Sequence, residues 1–302
     1  MIKNLVLIGY GSHAKKRIIP SLNKRNIKIQ EIYSKRKSIS EILKTKTILK
    51  NTVYYICTPP KTHFKIIRFL LLKKLNVIVE KPAVLKLDHL KIIKKKILKN
   101  KKNIFLENLM YRHSKIFERF VNYWTKNKKK IVKLEINFLI PRFFKIGFRS
   151  NCQDKFLILY DIGIYPISLL NILGIKISKI EIPDKIFLKQ KLKKIKIKLR
   201  SKNLEIQINI GEKSNYINNL VISELNGSKI YFDKIFSGVK VDKKITFINK
   251  VKKVYLIKDH DCFVKFFTFN MNYLKSIKKN NIDLIEKNIM LFDRIKSKIK
   301  SN

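Results

Sequence analysis

Apolar residues run along this chain in two rhythms, and the change from one to the other divides it. The short run Leu5 to Ile8 ends at Gly9, and Ala14 to Leu22 then places apolar residues at helical spacing, so this stretch predicts strand, tight turn, helix. The same grammar repeats: a β-like run over Ile27 to Tyr33, a buried strand over Thr52 to Cys57 closed by Pro59-Pro60, a helix over His63 to Lys74, a strand over Asn76 to Val79, a helix over Leu87 to Leu98 and a strand over Ile104 to Leu106. Strands alternating with helices predict a mostly parallel sheet covered on both faces, an α/β fold. Downstream, Ile131 to Ile140 predicts a long strand and Phe156 to Leu173 a broadly helical stretch. Ile195 to Ile210 alternates with period two, and Leu220 to Phe232 does so around the turn dipeptide Asn226-Gly227, a hairpin signal. The tail from Phe263 to Ile299 predicts amphipathic helix. The expected division is therefore 1–119 for the parallel unit and 120–302 for an α+β domain on a mostly antiparallel open sheet, with the last helix a candidate to pack back on the first domain.

Composition narrows the classes. The 302 residues are 45% hydrophobic, enough for a real core, although 69 Lys and Arg against 21 Asp and Glu give a net charge of +48. Lysines are scattered and interleaved with isoleucines rather than gathered into an arm, and abundant Lys, Ile and Asn beside scarce Ala, Gly and Pro fit A+T-rich coding; the charge predicts no specific nucleic-acid partner. It should still draw anionic ligands in a salt-dependent way. No apolar stretch approaches the ~20 residues of a membrane span, and no signal peptide is expected at the start. Cys57, Cys152 and Cys262 show no pairing pattern, and His13, His89 and His260 have no ligand partners nearby in sequence, so a reducing, cytoplasmic setting without a metal is expected.

Gly9-Tyr10-Gly11-Ser12-His13-Ala14 is a G-x-G-x-x-A turn placed directly after a strand and opening a helix. The first glycine permits a sharp turn, the second lets backbone approach a pyrophosphate, and the small sixth residue lets helix and strand pack closely. A glycine turn can also join strand to helix without a ligand, but the βαβ pattern that follows favours a dinucleotide-binding Rossmann domain. At the end of the next strand stand Ser34, Lys35 and Arg36, a hydroxyl and two cations that suit a 2′-phosphate; Glu31 lies at the spacing of an acid that binds a ribose hydroxyl, but inside the strand. NADP is expected ahead of NAD.

Four further segments carry a resemblance: Tyr55-Ile56-Cys57-Thr58-Pro59-Pro60-Lys61-Thr62-His63, then Val77-Ile78-Val79-Glu80-Lys81-Pro82, then Glu107-Asn108-Leu109-Met110-Tyr111-Arg112-His113, then Asp161-Ile162-Gly163-Ile164-Tyr165-Pro166. With the glycine turn they resemble the glucose-fructose oxidoreductase / inositol dehydrogenase (GFO/IDH/MocA) family from residue 3 to about 175. The only two alanines, Ala14 and Ala83, fall in these motifs. The resemblance implies a nicotinamide-dependent oxidoreductase. Its E-K-P lysine, Lys81, sits by the nicotinamide, and its D-x-G-x-[HY] segment supplies Asp161 and Tyr165 for acid/base work. Glu80, Thr58, Pro59, Pro60 and His63 are cofactor neighbours by the same carry-over. Tyrosine at the last position, with Pro166 after it, resembles the subgroup that acts on carbohydrates, nucleotide-linked keto sugars or cyclic diols and generally uses NADP. The resemblance also implies a homodimer or homotetramer. The approach to Asp161, Ser150 to Leu157, departs from the family's glycine-rich pattern.

The chemistry stands beside the resemblance. Moving a hydride to a carbonyl carbon leaves negative charge on oxygen, which needs a proton donor and a cation. A tyrosine near ~10 becomes useful at neutral pH beside an ammonium, which Lys81 could supply to Tyr165. Asp161 and Tyr165 are four apart and would share a helix face. Bland readings stay open: Lys81 as a solvated lysine, Tyr165 as packing, Asp161 as a helix cap, His63 as a cap rather than a cofactor contact. So do two other functions: a cofactor-binding regulator without catalysis, and a reductase of a non-sugar ring.

Overall fold

The computed structural model describes residues 2–34, 52–99, 102–141, 152–212 and 215–301. They form two compact units, Met1–Met110 with Phe263–Ile289 and Tyr111–Cys262 with Met290–Asn302.

In the first unit β1 (Asn4–Ile8), β2 (Lys28–Tyr33), β3 (Val53–Ile56), β4 (Asn76–Glu80) and β5 (Phe105–Asn108) form a parallel sheet in the order β2-β1-β3-β4-β5. Each strand is a short apolar run, and alternate residues face opposite sides: Val6 and Ile8 join one core cluster, Leu5 and Leu7 the other. The connecting helices α1 (a π-helical turn Ala14–Ile18 running into Ile19–Asn23), α2 (Pro60–Leu72) and α3 (Leu87–Lys99) supply the covering apolar faces. The strand order reverses between β1 and β3, the switch point where open α/β sheets bind ligands beyond their carboxyl ends.

In the second unit β6 (Ile131–Ile140), β7 (Lys179–Leu188), β8 (Lys191–Ser201), β9 (Leu204–Glu212), β10 (Ile217–Glu224), β11 (Lys229–Asp233), β12 (Asp242–Ile248) and β13 (Lys252–Lys258) make an eight-stranded sheet in the order β13-β12-β11-β10-β6-β9-β8-β7. Only the β6–β9 pair is parallel. One face is apolar, with Leu134, Ile136, Ile206, Ile208, Leu220 and Ile222 buried. The other carries a row of amides, Asn209 donating to Asn137 at 2.6 Å and Asn137 to Asn219 at 2.9 Å. Helix α4 (Lys115–Asn127) begins at the buried cap Ser114, whose hydroxyl accepts from the Phe117 N–H. Asp259 accepts from the Lys115 N–H at 2.9 Å and pairs with the fully buried Lys243 at 2.8 Å.

Three sequence expectations need correction. The units change over after Met110 rather than near 119, because Tyr111 packs with Phe117 and Phe236 of the second unit. The tail is not one helix but three, α7 (Cys262–Phe266), α8 (Met271–Ser276) and α9 (Lys278–Ser301), and its stretch to Ile289 completes the core of the first unit. The stretch from Phe156 breaks into α5 (Leu157–Asp161) and α6 (Ile164–Ile172). Pro166 is the physical reason: inside a continuous helix it would lack an N–H for the Ile162 carbonyl, whereas in the first turn of a new helix no such bond is needed.

Candidate active site

The glycine turn, the segment after β3 and the end of β4 gather at the carboxyl edge of the parallel sheet, since Ile8, Ile56 and Val79 are aligned across it. Gly9 has φ +107°, and a Cβ there would lie 2.8 Å from the Cys57 carbonyl carbon and oxygen and 2.9 Å from the Thr58 nitrogen. Only glycine allows the turn to pass so close to β3. At Gly11 a Cβ would meet nothing within 4 Å: the turn opens there. Tyr10, Ser12 and His13 are exposed around the opening, and Ala14 is buried beneath it. An open, glycine-lined turn at a helix start fits the pyrophosphate of a dinucleotide.

Behind this turn lies a buried polar network. Glu80, at the end of β4 and 8% exposed, receives the Tyr55 hydroxyl on Oε1, and His13 Nε2 stands 3.2 Å from the same oxygen. The Asn108 amide donates to the Tyr55 hydroxyl at 2.8 Å. Burial pushes the Glu80 carboxyl up. The His13 charge, the hydrogen bonds from His13 and Tyr55, and the Lys81 charge outweigh it and hold the group below its ordinary value, so it is a carboxylate at neutral pH. Burial drives the Tyr55 hydroxyl and the Cys57 thiol well up, which keeps both protonated. Lys81 therefore stands directly after an ionised, buried carboxylate, at a cis peptide bond to Pro82. In the following turn the Ala83 N–H donates to Glu107 at 2.6 Å, and Asn281 of α9 brackets the Glu107 backbone with bonds of 2.8 and 3.1 Å.

His63 departs from its expected place beside the cofactor. It is fully buried, with Nδ1 2.9 Å from the Pro82 carbonyl and Nε2 2.7 Å from the Thr58 carbonyl, so both nitrogens serve the protein itself. Burial holds its pKa below the usual imidazole value in spite of these acceptors. It ties the segment after β3 to the one that carries Lys81. Thr58 also receives the Thr62 hydroxyl at 2.7 Å, while Pro59 and Pro60 start α2. Ser34 is half-buried just past β2, and Glu31 accepts the Tyr33 hydroxyl at 2.6 Å. Lys35 and Arg36 lie outside the described residues.

The second unit holds Asp161 and Tyr165, not on one helix face as their spacing suggests: Asp161 ends α5 and is no N-cap, and Tyr165 lies in the first turn of α6. A side chain at Gly163 would strike the Leu159 carbonyl, so the break needs glycine. The Tyr165 ring is buried among Tyr111, Phe138 and Phe236, with centroids 5.2–5.7 Å away. The backbone around it is pinned by Ser168, whose hydroxyl donates to the Tyr165 carbonyl at 3.0 Å and meets the Tyr111 hydroxyl at 2.8 Å. Tyr216, absent from the sequence reading, shares the Phe138 ring with Tyr165 and receives the Asn218 amide at 2.9 Å. Tyr55 and Asn108 were likewise missed, because a tyrosine inside an apolar strand reads as core. The detectable signal was a polar residue, Glu80 or Asn108, closing each of two adjacent buried strands. Among the described residues no group of His, Cys, Asp and Glu could hold a metal ion, and no helix is long and apolar enough to cross a membrane.

Comparison with known proteins agrees with this geometry. The fold resembles the 3-ketoreductase KijD10 of Actinomadura kijaniata, solved with NADP and TDP-benzene, at 15% identity and a TM-score of 0.80 over 97% of both chains. It also resembles the aldose-aldose oxidoreductase of Caulobacter crescentus, solved with glycerol, at 12% identity and a TM-score of 0.79 over 100% of this chain and 98% of that one. At such identities the likeness concerns the fold. None of the curated proteins matches. Residues 3–109 match the GFO_IDH_MocA model, described as "Oxidoreductase family, NAD-binding Rossmann fold". With the open glycine turn at the switch point of a parallel sheet, that match identifies the first unit as a Rossmann fold similar to the NAD-binding domain of the GFO/IDH/MocA oxidoreductases.

Proposed function

We propose that this protein is an NADP-preferring oxidoreductase that transfers hydride between nicotinamide C4 and a carbon of a sugar, free or nucleotide-linked. The observation that carries the reading is the sheet edge where the open turn at Gly11 meets the ionised Glu80 immediately before Lys81. Gly9 to Ala14, Thr58 to Pro60 and Glu80-Lys81 would hold the dinucleotide, and Ser34, Lys35 and Arg36 its 2′-phosphate. The bound cofactor supplies the hydride. Tyr165 gives up or takes the proton at the substrate oxygen, Lys81 contributes the cation that favours the phenolate, and Asp161 orients the lysine or accepts a substrate hydroxyl. Support for the pair comes from the 3-ketoreductase, solved as variants at a lysine and at a tyrosine 84 positions apart, the separation of Lys81 and Tyr165 here. That enzyme's TDP ligand and the aldose-aldose oxidoreductase's name favour a carbohydrate substrate. The polar open face of the eight-stranded sheet suits pairing of two copies into a dimer or tetramer, and a cytoplasmic setting suits three free thiols.

The test is titration of purified protein with NADPH and NADH, following nicotinamide fluorescence, with and without a panel of aldoses and nucleotide-linked keto sugars. NADPH should bind more tightly than NADH and be oxidised by one member of the panel. Failure to bind either dinucleotide would overturn the reading.

A further inference from the structure

The site contains a charge problem that His13 is placed to solve. A dinucleotide brings a doubly charged pyrophosphate to the glycine turn, and the turn is backed by the Glu80 carboxylate, ionised at neutral pH. Two anions at close range repel unless a cation stands between them. His13 lies in the turn itself, its side chain 44% exposed, with Nε2 3.2 Å from Glu80 Oε1 and its ring held edge-on against Phe263 at 5.4 Å. Among the described residues Nδ1 has no hydrogen-bond partner. A neutral ring that donates Nε2–H to Glu80 presents a lone pair at Nδ1, which an incoming phosphate oxygen would meet as repulsion; the imidazolium presents N–H on both sides.

We propose that His13, as the imidazolium, bridges Glu80 and the cofactor pyrophosphate, so that dinucleotide binding takes up a proton and weakens as that proton is lost. This rests on the dinucleotide reading of the turn. Among the described residues the other titratable and charged groups around His13 are few. From β3 come Tyr55 and Cys57, both kept protonated by burial. From β4 come Glu80 and the adjoining Lys81, with the fully buried His63 behind them, its pKa held below the usual imidazole value by burial. Its own turn adds Tyr10 and Lys15, which lies 4.5 Å over the Tyr10 ring, and the helix bearing Phe263 adds the exposed Lys265. Of these side-chain types only an accessible imidazole changes charge between pH 6 and 8.

The sign follows from linkage. An ion held between two anions keeps its proton more tightly in the complex than in the free protein, so affinity is greatest on the acid side and falls as pH rises through the histidine range.

The probe is NADH, which has no 2′-phosphate to titrate in this range, with dissociation constants measured by fluorescence from pH 6.5 to 8.5. Wild type should weaken about tenfold, equivalent to roughly one pKa unit of proton uptake. His13→Gln should bind weakly at every pH, whereas His13→Lys, permanently charged, should bind tightly at every pH; His13→Asn provides a second neutral variant. A wild-type profile that is flat, or a slope that survives in His13→Gln and His13→Asn, would overturn the bridge. No binding of NADH or of NADPH by any form would instead overturn the dinucleotide reading, and the bridge with it.

Discussion

Tyr55→Phe removes one oxygen from the middle of the network and leaves the ring, which is packed against Phe267 at 5.8 Å, in place. That oxygen donates to the Glu80 carboxylate and accepts from the Asn108 amide. A hydrogen bond to a charged group contributes about 1.5–3 kcal/mol, and a buried donor left without an acceptor costs about 1 kcal/mol more. His13 and Lys81 remain to hold the carboxylate, so the expected loss is about 2 kcal/mol, or roughly 6–10 °C in the melting of the first unit. The pH dependence has a definite sign. Because the Glu80 pKa is depressed in the folded protein, its contribution to stability is present above the unfolded value, ~4.3, and is lost as pH falls through the folded value. Without the tyrosine hydroxyl burial is opposed by fewer groups, the folded pKa rises, and the acid-side loss begins at higher pH. Calorimetry at pH 7 and pH 5 reads both effects. In a Glu80→Gln background the same substitution should cost at least about 1 kcal/mol less, because there is no carboxylate to serve. A melting point unchanged within about 1 °C, or an equal loss in both backgrounds, would refute the assignment of Tyr55 to Glu80.

Two further tests separate shape from chemistry. Gly9→Ala forces a Cβ against the Cys57 and Thr58 backbone at φ +107° and should cost about 3 kcal/mol in urea unfolding, whereas Gly11→Ala, whose Cβ meets nothing, should leave stability within about 0.5 kcal/mol yet weaken NADPH binding by filling the open turn. Tyr165→Phe keeps its ring among Tyr111, Phe138 and Phe236, so melting should shift by under about 2 °C while kcat falls at least about 100-fold; Lys81→Ala should abolish turnover with NADPH affinity retained within about threefold, and unchanged turnover in either would defeat the acid/base assignment.

The first unit was legible because its signals are local. A parallel strand buried on both faces is a continuous apolar run, and Gly9, Pro59 and Pro82 punctuate the ends of three of them. The antiparallel pairing of β8 to β9 and of β10 to β11 followed from period two and from Asn226-Gly227. The β12–β13 hairpin was not legible: Lys252 to Lys258 lies at the sheet edge, mostly exposed, and carries no core-facing alternation. The helix break at Gly163 was hidden because helical spacing persists across it, and only the proline three residues on marks the restart. The site was legible as motifs and not as a network. Its carboxylate, phenol and amide come from three strands, and register alone brings Tyr55, Glu80 and Asn108 within hydrogen-bond reach. His63 shows the converse: its motif position suggested a ligand contact, and its burial assigns it to the backbone.

The first unit is assembled from two stretches far apart along the chain, Met1–Met110 and Phe263–Ile289. Phe263, Phe267, Leu274, Ile282, Ile285 and Ile289 belong to the same core clusters as β1 and α2. A chain cut near residue 110 or 119 would therefore leave both faces of its parallel sheet short of cover. On the ribosome the opening strands must wait for about 180 further residues, roughly 10–35 s at ~5–20 residues per second, while Tyr111–Cys262 of the second unit and the stretch to Ile289 are made. During that wait the nascent first unit exposes apolar surface, and its sheet cannot be fully covered before the stretch to Ile289 has been made.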